Sequence, residues 1–223
     1  MGMNAARGAP RADIRRAPLG LAAIMAAVLV SGCSGAGSLS SLRPDCIARS
    51  EHCLAAALNE GDVRLFRELL GAGAPATAVD ADGDTLMHLA AASASPEFLR
   101  VLLQSGLDPN IPNTITSRTP LMTAIVYERD VQMELLLENG ADLDRADRTG
   151  NTALHVAAQI NDPAKVMRLL KAGAPVVARN AQGQTFQRYL FMTPAHLLDR
   201  KTRAYRETVQ GWLADRGLLE RTL

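Results

Sequence analysis

GNTALHVAAQINDPAKVMRLLKAG, residues 150–173, holds two short helices and the signals that part them. Thr152 to Ala158 is apolar and alanine-rich. Asn161-Asp162-Pro163 then punctuates, with Asp162 as a cap and Pro163 as a first helical residue. Val166, Leu169 and Leu170 follow at i, i+3 and i+4, one apolar stripe of a second helix, and Gly173 stops it. Such a pair cannot bury its apolar stripe alone; it needs copies of itself on either side.

The copies are present. The stripe recurs as Phe66-Leu69-Leu70, Leu99-Leu102-Leu103 and Met133-Leu136-Leu137, with steps of 33, 34 and 33 residues to Leu170. The stopping glycine recurs as Gly73, Gly106, Gly140 and Gly173. Helix starts recur as Thr85-Leu86-Met87-His88, Thr119-Pro120-Leu121-Met122 and Thr152-Ala153-Leu154-His155; Thr193-Pro194-Ala195-His196 reads as a fifth, eight residues late. Val209-Trp212-Leu213 restores the outer stripe after a step of 43, so the fifth copy reads as an atypical cap.

A period of about 33 residues with this internal order resembles the ankyrin repeat, whose pattern includes a turn, T-P-L-H-x-A and L-L-x-x-G-A. The resemblance covers about residues 52–217. It implies an all-α solenoid of about five helix-turn-helix repeats with short hairpin loops. It also implies that His88, His155 and His196 are structural, bonding backbone and bridging repeats. Stacked repeats lie roughly 10 Å apart, whereas zinc needs every ligand within about 2.1 Å of one point. His52 matches no repeat histidine.

Residues 1–32 read as a lipoprotein signal peptide. Arg7, Arg11, Arg15 and Arg16 precede a 12-residue apolar run, Leu19 to Val30, too short to span a bilayer core. Leu29-Val30-Ser31-Gly32-Cys33 resembles a lipobox, which implies acylation of Cys33, palmitate included, and anchoring without a membrane span. Ser34 stands where an aspartate favours inner-membrane retention in enterobacterial lipoproteins, so the resemblance points to the outer membrane, facing the periplasm. Residues 33–45 then form the lipidated cysteine and a Gly/Ser tether with a reach of about 15–20 Å, and 46–223 the repeat domain. In an oxidising compartment Cys46 and Cys53 are candidates for a disulfide sealing the N-terminal end of the stack. On one continuous helix they would lie about 10.5 Å apart, so the bond requires Cys46 to fold back from a preceding segment.

Composition narrows the function. The chain carries a formal charge of +1, and residues 33–223 hold 20 basic and 22 acidic side chains, which gives no electrostatic case for nucleic acid. Asp80-Ala81-Asp82-Gly83-Asp84 faintly resembles a calcium loop, but its glycine is misplaced and Ala91 stands where the twelfth-position glutamate belongs. No nucleophile-base set, metalloprotease motif or phosphate loop is present. No cofactor, metal or catalysis is therefore expected; the expectation is a monomeric protein-binding module.

The resemblance implies a concave face of hairpin tips and inner helices. Its candidates are Asp80, Asp82, Asn113, Arg118, Arg148 and Arg179. In the stretch Gln184 to Met192, which reads as an insertion, Phe186, Tyr189 and Phe191 supply three of the eight aromatics of the chain. With Arg188 they either fold over the open end of the stack or anchor a partner. Two narrower biologies stay open beside the general one: an immunity protein neutralising a periplasm-acting secreted toxin, and an envelope stress factor supporting a peroxide-detoxifying enzyme.

Overall fold

The computed structural model describes residues 53–220. Among them run ten α-helices: α1 (Cys53–Glu60), α2 (Val63–Gly71), α3 (Leu86–Ala92), α4 (Glu97–Gln104), α5 (Pro120–Val126), α6 (Asp130–Glu138), α7 (Ala153–Gln159), α8 (Pro163–Lys171), α9 (Phe186–Met192) and α10 (Arg200–Ala214), with a 3₁₀ turn at Ala195–Leu197. Odd-numbered helices pack on odd and even on even, giving an inner and an outer layer, with the inner helices of the first four repeats also on their own outer partners.

The apolar stripes face one another. Phe66, Leu99, Leu102, Met133, Leu136, Val166, Leu169, Val209 and Leu213 are buried, joined by the inner-helix side chains Leu86, Leu121, Leu154 and Phe186. Phe66 and Phe98 meet edge to face at 5.2 Å across the first two repeats, a geometry worth about 0.5–1.5 kcal/mol beyond the area it buries. The outer helices α2 and α8 are capped by aspartates. Asp62 accepts from Leu65 N–H at 2.9 Å and Asp162 from Ala164 and Lys165 N–H at 3.1 and 3.0 Å.

Between repeats the chain forms hairpins. The bridge pairs Val79–Thr85 and Ala146–Thr152 close two of them. Main-chain bonds then run from tip to tip: Thr114 N–H to Gly83 O at 3.0 Å, Arg148 N–H to Thr116 O at 2.9 Å and Ala181 N–H to Thr149 O at 2.9 Å. Gly150 has φ +78°, and a Cβ there would lie 2.7 Å from Ala181 N. Glycine is thus required both by conformation and by contact. Ser117 takes the same left-handed position in the longer third hairpin, at φ 59°.

The fifth repeat differs from the sequence reading. Gln184 to Met192 is not an insertion: Thr185 lies in extended backbone at the start of α9, 33 residues after Thr152, and α9 is the inner helix in regular period. Thr193-Pro194-Ala195-His196 starts no inner helix. It lies in the connection to α10, where His196 is exposed and bridges no repeat. All ten extra residues fall after α9. The TPAH tetrapeptide outweighed the true start because Thr185-Phe186-Gln187-Arg188 lacks both the proline and the histidine.

The returning C-terminal segment covers the stack end. Buried Gln187 donates Nε2 to Leu218 O at 2.9 Å and accepts from Glu220 N–H at 3.0 Å; Thr185 Oγ1 donates to a Glu220 carboxylate oxygen at 3.0 Å. Deleting residues 218–223 should cost about 1–3 kcal/mol, because Gln187 is left buried without partners; urea denaturation measures this. Gly150→Ala should likewise be more destabilising than Gly73→Ala, at similarly positive φ (+83°) but with nothing within 4 Å of its Cβ. Equal losses in the two glycine variants would contradict the tip-to-tip packing.

Candidate functional site

The site is built from the elements that hold one hairpin against the next. Thr85 N–H donates to His88 Nδ1 at 3.3 Å, which leaves Nε2 as the protonated nitrogen, donating to Arg118 O at 2.9 Å. His155 repeats this with Thr152 N–H at 3.2 Å and Gln184 O at 3.0 Å. Arg118 O and Gln184 O also receive the N–H groups that close their own hairpins, from Asn113 at 2.8 Å and Asn180 at 3.0 Å. Each imidazole therefore fixes the next repeat's tip through a carbonyl already in use. Met122 fills the histidine position of the third repeat, where Arg148 N–H donating to Thr116 O at 2.9 Å ties the hairpins; Asn180 Nδ2 donating to Asn151 Oδ1 at 3.0 Å adds to the His155 tie at the next junction.

Further polar bonds tie neighbouring repeats elsewhere. Arg129 Nε donates to Ala92 O at 2.9 Å and Gln132 Nε2 to Ser93 O at 2.7 Å, both at the ends of inner helices. Asn110 donates to Gly140 O at 3.1 Å and accepts from Asp142 N–H at 2.7 Å. Lys165 Nζ lies 2.8 Å from Asp130 and 2.7 Å from Asp162. Although burial opposes its charge, hydrogen bonds donated to the two carboxylates hold the Lys165 pKa above the usual lysine value.

The candidate tip residues separate into two groups. Asn113 is only 4% exposed. It donates to Asp82 O and Asp84 and accepts from Ile115 and Thr116 N–H at 2.8 and 2.7 Å, so it belongs to the frame, not the contact face. Asp80 is half-buried and accepts from Asp82 and Asp84 N–H at 2.9 and 2.8 Å, also shaping the turn. Asp82, Arg118 and Arg148 are exposed, and among the described residues neither arginine has a side-chain partner. Arg179 is exposed but tied to Gly183 O at 2.7 Å and Glu220 at 3.6 Å.

Arg188 occupies the histidine register of the last repeat and is exposed. Tyr189 Oη accepts from Asn180 Nδ2 at 2.8 Å, and its ring meets that of His155 edge to face at 6.4 Å. Tyr189 and Phe191 are partly buried on the core, while Phe186 lies wholly within it. Ile115, inside the tip stretch Asn113 to Arg118, is 49% exposed; sequence reasoning missed Tyr127, beyond α5 and 43% exposed. Tyr127 could have been found from the repeat register, which places it with Ser93 and Ile160 where inner helices end.

Cys33, Cys46 and His52 lie outside the described residues; Cys53 is half-buried in α1. Among the described residues no three or more His, Cys, Asp or Glu side chains converge as metal ligands would, and no helix is long and apolar enough to cross a membrane.

The comparisons agree with this geometry. A family model of ankyrin repeats in three copies matches residues 52–147 and again 113–180. The chain belongs to the ankyrin-repeat family. Protein PhlB of Serratia liquefaciens is 43% identical over 93 residues, which is 42% of this chain and 41% of PhlB. The E3 ubiquitin-protein ligase KEG of Arabidopsis thaliana is 35% identical over 156 residues, 64% of this chain and 9% of the ligase. The NF-kappa-B p105 subunit of Gallus gallus is 35% identical over 133 residues, 55% of this chain and 13% of that protein. The chain thus spans well under half of each of these relatives. Ankyrin repeats are protein-interaction modules, and this chain carries one.

Its histidines also set a pH dependence. Burial, the largest cause, holds His88 and His155 below the ordinary value of 6.5. The unfolded chain therefore takes up protons first. Stability should be level above about pH 7 and fall as pH drops below 6.5, by up to about 1.4 kcal/mol per pH unit for each histidine. Burial raises the pKa of Asp84, an effect of opposite sign that acts only nearer its ordinary value of 3.8. Urea midpoints between about pH 5.5 and 7.5, roughly one unit either side of the ordinary histidine value, should flatten in a His88→Gln, His155→Gln variant; an unchanged slope would dissociate these rings from stability.

Proposed function

We propose that the protein is a non-enzymatic binding module that captures another polypeptide on its hairpin tips and inner-helix ends, held by a lipid on Cys33 at the periplasmic face of a bacterial membrane, the outer one by the Ser34 criterion. The observation that carries the binding reading is the division of labour among the tips. Asn113, Asn180, His88 and His155 spend their hydrogen-bonding capacity on neighbouring repeats. Ile115, Arg118, Tyr127 and Arg148 stand outward on that frame. A surface held this rigidly loses little entropy when it binds, and arginine and tyrosine are favoured anchors at interfaces.

The lipobox at Leu29 to Cys33 and the short apolar run before it support the anchor. The similarity to a protein of Serratia liquefaciens supports a bacterial setting. No residue set supports catalysis, since the buried histidines are committed to backbone.

Two measurements test the reading. Radiolabelled palmitate should enter the full chain expressed in a Gram-negative host and should not enter Cys33→Ser; label retained in the variant refutes the anchor. In affinity capture from envelope extracts, Tyr127→Ala with Arg148→Glu should lose partner recovery at least tenfold with melting temperature unchanged, about 1.4 kcal/mol or more of binding. Full recovery by the double variant would remove the tips from the interface.

A further inference from the structure

Main-chain bonds join the hairpins of the second, third and fourth repeats into one ridge. Thr114 N–H donates to Gly83 O at 3.0 Å, and Arg148 N–H to Thr116 O at 2.9 Å. Asp82 directly precedes Gly83, Ile115 sits between the two bonded threonines, and Arg148 is itself a donor. Ile115 lies on Gly83, since a Cβ added to that glycine would be 2.8 Å from Ile115 Cγ1. Arg118 ends the middle hairpin, two residues after Thr116. Asp82, Ile115, Arg118 and Arg148 therefore stand on one continuous surface.

Most charged groups of these hairpins are already engaged. Asp80 accepts from Asp82 and Asp84 N–H, Asp147 from Thr149 and Asn151 N–H, and Asp84 from Asn113 Nδ2. Arg145 pairs with Asp142 at 3.5 Å, and Arg179 donates to Gly183 O at 2.7 Å. Asp82, Arg118 and Arg148 are exposed, and among the described residues their charged groups have no side-chain partner. The uncompensated charge thus changes sign along the ridge. It is negative at the second-repeat tip and positive over the third and fourth, with Ile115, about half exposed, between them. Asp82 and Arg148 belong to tips two repeat steps apart, about 20 Å. That exceeds the ~8 Å screening length of physiological salt, so neither neutralises the other.

A ridge of this kind selects by charge order. A uniform polyanion is repelled at Asp82, a uniform polycation at Arg118 and Arg148, and neither offers Ile115 an apolar contact. A polypeptide can carry both signs and an apolar side chain on one backbone. In extended form it rises about 3.3 Å per residue, so about six residues cover the 20 Å from Asp82 to Arg148. Carboxylates suit the two guanidinium groups, which present paired N–H donors.

We propose, resting on the reading that the tips are the contact face, that this ridge takes an extended polypeptide segment of segregated charge. A lysine or arginine of the segment lies over Asp82, an apolar side chain on Ile115, and carboxylates at Arg118 and Arg148. The charge order fixes the direction in which the segment crosses the repeats.

The probes are fluorescein-labelled peptides of about nine residues, long enough to cover the ridge, that share a leucine at the centre. One carries lysines at one end and glutamates at the other, one glutamates at both ends, and one lysines at both. Fluorescence anisotropy with the full chain carrying Cys33→Ala should rank the mixed peptide about tenfold or more above either uniform one, and salt should shrink the difference. Arg118→Glu with Arg148→Glu should transfer the preference to the lysine peptide. Asp82→Lys should transfer it to the glutamate peptide. Melting temperature should stay unchanged in both variants, because all three side chains are exposed. A ranking that these substitutions leave as it was overturns the proposal. So does self-association in sedimentation that Arg148→Glu abolishes, which would give the ridge to a second copy of the chain. Partner recovery from envelope extracts that still depends on Tyr127 and Arg148, without any peptide preference, would sink the charge order and leave the tips as the contact face. Loss of both would remove the two readings together.

Discussion

One carbonyl serving two donors is the constraint on which this structure depends. Arg118 O closes its own hairpin through Asn113 N–H and also receives the His88 ring from the repeat before; Gln184 O does the same for Asn180 and His155. A hairpin two or three residues from its helix would otherwise be free to tilt. Once its closing carbonyl is claimed by a buried imidazole, the tip has one position relative to its neighbour. Tip-to-tip main-chain bonds add to this hold, and one of them, Arg148 N–H to Thr116 O, forms at the Met122 junction without an imidazole; the close approach of Ala181 requires the bare Cα of Gly150. Burial keeps both rings neutral, which is the state the geometry needs: Nδ1 must accept and Nε2 must donate.

The same arrangement separates frame from surface. Neighbouring repeats satisfy buried polar groups of the hairpins, which leaves outward side chains such as those of Arg118 and Arg148 without a structural partner among the described residues. Arg118 shows the division within a single residue. Its carbonyl is part of the lattice, while its guanidinium is exposed and, among the described residues, unpaired. The fold therefore specifies where a partner can bind but not which partner. At the far end the stack closes by another device. Gln187 pairs with the returning C-terminal segment through both its donor and its acceptor, much as a next repeat would.

Repeat architecture was legible because each landmark arises from a local requirement. Val166, Leu169 and Leu170 must share a face, Asp162 must cap, and Gly173 must reach positive φ whatever the neighbours do. Where a landmark was replaced, the reading slipped. Thr185-Phe186-Gln187-Arg188 begins an inner helix without proline or histidine; Phe186 is buried in the core and Gln187 bonds the returning C-terminal segment. A four-residue resemblance at Thr193 then misled, since Thr-Pro also suits a connection.

The sequence by itself determined the period, the first four helix pairs and their turns, since these follow from spacing and from conformations that few residues adopt; the ankyrin resemblance implied the structural role of His88 and His155. Tertiary structure alone decided which polar side chains face water. Asn113 and Arg118 stand five residues apart in one hairpin and look equally available in the sequence, yet one is buried against Asp82 and Asp84 while the other points out. The reason is that burial at a tip is set by the adjacent repeat, some thirty residues away (one period of the family), and no local pattern records what that neighbour will cover.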